Sequence, residues 1–128
     1  MKKIAEEWLN AAADDLAVVR SIRNNPQLTH MTSFHAQQCI EKTFKAVLEE
    51  QGLIVLKIHN LINLHGKIAH VLKIDIDPNI LKTLDQLYID SRYPGSLGLL
   101  PNGKPSMEVV EGFIRLADEI YSHVRKLL

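Results

Sequence analysis

Five stretches of the chain repeat apolar residues at the three- and four-residue spacing of a helix. The first runs from about Lys3 to Asn24 and is stopped by Asn24-Asn25-Pro26, where proline cannot continue the hydrogen-bond ladder. The second begins after Thr32 or Ser33, either of which can cap it, and closes at Gly52. A third starts with Asn60 as cap and continues to Leu72. The fourth opens with Asp77 as cap and Pro78 at the first helical position, and fades near Tyr93. The last, from about Ser106 to Leu127, is cleanly amphipathic, with Ile, Val, Leu, Phe and Tyr opposite Glu, Asp, Arg and Lys. The pattern predicts an all-α protein of about five helices, four of them forming a bundle, with no sheet. Leu53 to Ile58 is apolar enough for a strand, but it stands alone and a single strand has no partner. One connection is long: Pro94 to Pro105 carries three glycines, three prolines, and Leu97, Leu99 and Leu100. Loops of this length between bundle helices are often functional.

Some polar residues sit where the apolar stripes should run. On the second helix Gln37 falls between Phe44 and Leu48, and Glu41 between Leu48 and Phe34; Lys45 follows four residues on, in the favourable acid-before-base order. On the first helix Asp15 lies among Ile4, Trp8, Val18, Val19 and Ile22. Burying a lone carboxylate costs several kcal/mol, so each must be paired. Asp15 is expected to be a buried structural group, with Lys42, Lys45 and Arg92 as candidate partners. Gln37, Glu41 and Lys45 fit a core network, a pocket or a subunit interface. The second helix is apolar over more than half its circumference, which predicts a partner and hence a homodimer.

Composition narrows the function. A chain of 128 residues makes one domain, 1–128, with a core that needs neither disulfide nor metal. Lys+Arg and Asp+Glu both number 15, so no global field exists to coat nucleic acid. Cys39 is the only cysteine, which excludes a disulfide framework and predicts a cytoplasmic protein. The acidic residues in MKKIAEEWLN interrupt any signal-peptide pattern, and no apolar run reaches the roughly 18 residues that span a bilayer. His59, His65 and His70, and likewise His30 and His35, are spaced wrongly for a shared helical face, so no metal site and no cofactor is expected. The GSLG of the long loop lacks the spacing and the following Lys-Ser/Thr of a phosphate loop, and no nucleophile signature appears.

Several blocks together resemble the HEPN family of small helical domains. They are Trp8-Leu9, Ala12 and Asp15-Leu16; Phe34-His35-Ala36-Gln37-Gln38, Glu41-Lys42 and Lys45-Ala46; His59-Asn60-Leu61, similar to the family's His-Asp-Leu; and Arg92-Tyr93-Pro94, similar to its Arg-Tyr-Pro. The resemblance spans essentially the whole chain, and the second-helix block is its most specific part. It implies an up-and-down bundle, usually a homodimer, often encoded beside a minimal nucleotidyltransferase. Family members have also been proposed to bind nucleotides, and one branch consists of metal-independent RNases. Those RNases use an Arg and a His separated by four to six residues near the fourth helix.

That motif is missing where it belongs: Arg92 is followed by Tyr-Pro-Gly-Ser-Leu-Gly-Leu, without a His. Arg23 and His30 have the spacing, but they lie between the first two helices. The reading therefore leans away from an enzyme and assigns no catalytic residue. It favours an interaction protein acting with a small nucleotidyltransferase, in a toxin–antitoxin or stress-response pair. The alternatives are a nucleotide-binding protein and, behind it, a diverged RNase. Gln37, Glu41, Lys45, His59, Arg92 and Tyr93 are the candidate ligand- or partner-binding residues, and they converge only if the helix ends meet. The Pro94 to Pro105 loop is expected to cover them.

Overall fold

The structure, a computed structural model, describes all residues of the chain except Leu56 and Ile58. It contains α1 (Lys3–Ile22), a single 3-10 turn (Pro26–Leu28), α2 (Thr29–Glu50), α3 (Leu61–Leu72), α4 (Pro78–Arg92) and α5 (Met107–Leu127). Among the described residues there is no strand, only a bridge between Gly95 and Gly98. Part of the apolar run 53–58 lies outside those residues, and Leu53 to Val55 have no regular structure. No described helix is long and apolar enough to cross a membrane.

Two helix starts carry the caps expected from the sequence, Asn60 and Asp77, and Ser106 caps the last helix at its expected start. The side chains of Asn60, Asp77 and Ser106 accept from the backbone amides of Asn63, Asn79 and Val109 respectively, which satisfies donors with no partner inside the helix. The start of α2 differs from expectation. Thr32 and Ser33 are buried inside the helix and donate to the carbonyls of Leu28 and Thr29. The helix thus begins one turn earlier, because the Pro26–Leu28 turn leads straight into it.

Cross-helix contacts fix the directions. Lys2 N donates to Glu50, and Trp8 lies beneath Lys45, so α1 and α2 are antiparallel. Arg20 meets Asp118 and Arg23 meets Glu111, which sets α5 antiparallel to α1. Phe34 stacks on Tyr88 and Gln37 reaches Asp85, so α4 runs against α2. The result is an up-and-down bundle with α2 at its centre, touched by α1, α3, α4 and α5. Ala36, Cys39, Ile40, Phe44, Ala46, Val47 and Leu48 are fully buried within the single chain. The wide apolar arc of α2 is therefore consumed by its own neighbours and leaves no surplus for a second copy.

On α1 the buried face is not the one with the bulkiest residues. Ala5, Leu9, Ala12, Leu16 and Val19 are buried in the core. Ile4, Trp8, Ala11, Asp15, Val18 and Ile22 form a second stripe, centred about 100° away round the helix. In that stripe Ile4 is 44% and Val18 37% exposed. Two apolar arcs lie side by side on this helix; the first is fully in the core, while the second contributes only Trp8 and the buried Asp15 and leaves Ile4 and Val18 exposed.

Two histidines carry a pH consequence. Burial lowers the pKa of His65, whose ring packs against Phe44 and whose Nε2 has no hydrogen-bond partner among the described residues. Burial and the nearby Lys104 charge lower that of His30. The unfolded chain takes up these protons near the ordinary value of 6.5. The stability the two histidines contribute is therefore present above that pH and lost as pH falls through the depressed native values. We expect a lower thermal midpoint at pH 5 than at pH 7, and a smaller drop in His65→Leu. Equal drops in both proteins, by calorimetry, would overturn this assignment.

Candidate functional site

The site grows from the polar stripe of α2. Glu41 is only 3% exposed as a side chain, and both its oxygens are engaged. Oε2 accepts from Lys45 Nζ at 3.1 Å and Oε1 meets His59 Nδ1 at 2.8 Å. Gln37 lies one turn earlier, fully buried. Its Nε2 donates to the His59 carbonyl at 2.9 Å and to Asp85 Oδ1 at 3.3 Å, while its Oε1 accepts from Gln38 at 2.8 Å. The α2 stripe thus grips the segment that leads into α3 by both the ring and the backbone of His59.

Asp85 on α4 completes the grip, and nothing in the sequence pattern singled it out. Its Oδ2 accepts from Leu61 N, the first amide of α3, at 2.9 Å. An anion at a helix N-terminus meets orphan amides and the positive end of the dipole. Burial pushes the Asp85 carboxyl up, opposed by the Leu61 amide and the Gln37 side chain. The signal that could have found it is its place, eight residues after the Asp77 cap, on the edge of the α4 face that carries Leu81, Leu84 and Tyr88.

Beside this network lies a ladder of rings. Tyr88 stacks with Phe34 at 5.4 Å and with His59 at 5.1 Å between centroids. Arg92 Nη1 donates to the Tyr88 hydroxyl at 2.8 Å, and its guanidinium lies 5.3 to 5.8 Å from the rings of Phe34, Tyr88 and Tyr93. A cavity of about 270 Å³ opens here, lined by His59, Asn60, Asp85, Tyr88, Ile89 and Tyr93. The predicted residues Gln37, Glu41, Lys45 and His59 are joined by direct hydrogen bonds. Arg92 and Tyr93 adjoin them through Tyr88.

The long loop does not roof this cavity. Leu100 N bonds to the Asp90 carbonyl and Lys104 Nζ to that of Gln27, which draws the loop along α4 toward the 3-10 turn. None of its residues lines the cavity at His59. Leu97, 80% exposed, instead borders a separate hollow with Ile89, Tyr93 and Pro101.

Asp15 lies on the other side of α2. It is buried and pairs with Lys42 at 2.7 Å and His35 at 2.9 Å; of the three basic partners expected, Lys42 is the one it meets. Arg23, half of the displaced Arg/His spacing, is turned to Glu111 at 2.9 Å. No three His, Cys, Asp or Glu side chains among the described residues are grouped to hold a metal.

The architecture and these blocks are those of a known family, whose model, the HEPN domain, matches residues 5–127. The chain belongs to the HEPN family. Its fold is similar to that of TT1696 from Thermus thermophilus, at 22% identity and a TM-score of 0.77, covering 99% of this chain and 100% of that one. It is also similar to ST0689, an archaeal HEPN homologue, at 26% identity and a TM-score of 0.69, covering 98% of each chain. No curated protein matches the sequence significantly.

The two carboxylates of this HEPN domain that bond to α2 from α1 and α4 differ in consequence. Asp85→Ala would strand the Leu61 amide and remove one acceptor from Gln37 Nε2, which keeps the His59 carbonyl, at about 2–3 kcal/mol for charge-assisted bonds lost in a half-buried place. Asp15→Ala should cost about 1–3 kcal/mol, below the range for fully buried pairs, since Lys42 and His35 keep some solvent contact and rehydrate. Urea denaturation measures both. A loss below about 0.5 kcal/mol at Asp85, typical of surface changes, would show that α3 docks without it.

Proposed function

We propose that this HEPN domain is an interaction module that pairs with a second copy of itself and acts with a small nucleotidyltransferase, in a toxin–antitoxin or stress-response pair. The observation that supports the pairing is the second apolar stripe of α1, which keeps Ile4 and Val18 exposed and Trp8, Ala11 and Ile22 only partly covered. Ile4, Trp8, Ala11, Val18 and Ile22 recur at three-, four- and seven-residue intervals, a seam suited to helix-on-helix packing. Met31 on α2, also partly exposed, adds to the apolar surface. A C2 dimer presents one patch to itself, so a single stripe suffices. The nucleotidyltransferase partner rests on the family resemblance.

Sedimentation tests the pairing directly. A dimer is expected at tens of micromolar, with Val18→Glu shifted toward monomer and its helical circular dichroism retained. A monomeric parent protein would remove this reading. For the second partner, a nucleotidyltransferase reading frame beside this one, and co-purification of its product, is the expected outcome.

A second reading, nucleotide binding, is favoured by the cleft at His59. Its aromatic faces suit a base, and Arg92, held by Tyr88, leaves guanidinium donors for phosphate. Arg92 is exposed, so Arg92→Ala should keep the fold and weaken nucleotide binding about tenfold or more, read by calorimetric titration with ATP. Unchanged affinity would take phosphate recognition away from Arg92.

A further inference from the structure

α4 and α5 both pack on α2 but hardly touch each other. Between them runs a groove made of three hollows that share their walls. One, of about 330 Å³, lies between Leu87, Asp90 and Val109; the next, of about 370 Å³, between Ile80, Thr83 and Gly112. The third, of about 290 Å³, continues past Gly112 to Arg115, Leu116 and Glu119. The end of α4 thus lies beside the start of α5, and the two helices are antiparallel.

Gly112 stands at the centre of this groove. Glycine inside a helix is unfavourable, and it suits a place where another chain segment comes close. Nothing in its own chain does so: a Cβ at Gly112 would meet no atom within 4 Å. Gly66 of α3 is equally open, but it borders none of the three hollows. The residues round Gly112 are sorted by chemistry. At about 100° per residue, Val109 and Leu116 lie on its α4 side, and Glu108, Arg115 and Glu119 on its α1 side. Val109 is 47% exposed. Glu111 and Asp118 of the same helix are taken by Arg23 and Arg20. Glu108, Arg115 and Glu119 are exposed and enter no ion pair among the described residues.

These two rows fit a second copy of themselves. A two-fold axis through Gly112 sets residues equally far before and after it against each other, on the same side of the seam. Val109 then meets the second copy's Leu116. Glu108 meets its Arg115, and Lys104, just before the helix, meets its Glu119. Apolar faces apolar, and every charge faces its opposite. A parallel pairing would instead set Glu108 on Glu108 and Glu119 on Glu119, so the charges also select the direction.

We infer that the α5 face centred on Gly112 is a self-association surface, on which a second copy of the chain packs its own α5 in antiparallel register. This goes beyond pairing through α1 and does not depend on it, because the two faces lie on different helices. Two isologous faces on one chain carry assembly past the dimer, to a tetramer. The α5 face is short and rimmed with charge, so it closes at higher concentration than the α1 seam and weakens with salt.

Sedimentation of the full chain from tens of micromolar to about 1 mM follows both steps. A second association step is expected in the upper part of that range, and high salt should weaken it. Gly112→Leu should abolish it by filling the seam, with helical circular dichroism retained because the position is open in the single chain. Glu108→Arg and Arg115→Glu should each weaken it about tenfold or more, and the two changes in one chain should restore it. These exposed charge reversals decide the matter alone if Gly112→Leu does not fold. Val18→Glu should remove pairing through α1 and keep this step, which then runs from monomer to dimer. A parent protein with no second step at about 1 mM would overturn the inference and leave the α1 reading intact. A second step that Gly112→Leu or both charge reversals leave unchanged would overturn it equally. Reversals that weaken association singly without restoring it together would refute the antiparallel register.

Discussion

A helix packed against its own chain on most of its faces must find partners within the protein for the polar groups along its buried length. That constraint falls on α2, which touches all four other helices. Water cannot reach Gln37, Glu41 or Thr43, so desolvation must be offset by bonds within the protein. Thr43 turns back to the Cys39 carbonyl at 2.7 Å. Gln37 and Glu41 are satisfied within the helix only in part, by Gln38 and Lys45, and also reach outward to His59 and Asp85. The placement of α3 and of the segment before it follows from the needs of α2. Burial alone would hold Leu61, Leu64, Ile68 and Leu72 loosely; the polar contacts fix where the helix begins.

The same constraint works in reverse for Cys39. Burial, with the Asp15 charge nearby, pushes its thiol up to about 12, so it is a small apolar core residue without thiolate reactivity. A lone cysteine inside the central helix thus contributes packing and no redox chemistry.

Much of this was legible in the sequence, for identifiable reasons. Asn60, Asp77 with Pro78, and Ser106 start helices because capping is a local interaction, settled within three residues. The displacement of Gln37, Glu41 and Asp15 from the polar face was visible because helical periodicity is regular. What failed needed tertiary information. Two apolar arcs on α1 competed, and the bulkier one looked like the core, whereas packing against α2 favoured the alanines. Thr32 and Ser33 have the chemistry of caps, but a preceding 3-10 turn moved the helix start past them. Asp85 went unnoticed because its partners, Leu61 and Gln37, are distant in sequence and belong to other helices.

Two carboxylate–histidine pairs are built on α2 with the same parts, and comparing them separates scaffold from site. In each, one carboxylate oxygen binds a lysine and the other a histidine Nδ1: Lys42–Asp15–His35 on one side, Lys45–Glu41–His59 on the other. In the first, the His35 side chain is 22% exposed and its ring is closed in by the edge of Phe34. It ties α1 to α2, and a neutral pair of the right shape could replace it with little loss. In the second, the carboxylate is more deeply buried while the imidazole is more exposed. Stability gains least from that combination, since the ordering cost falls on a ring that water would otherwise solvate freely. An arrangement whose expense lies inside and whose product is a free nitrogen at a cavity is better explained by what reaches that nitrogen than by what holds the fold.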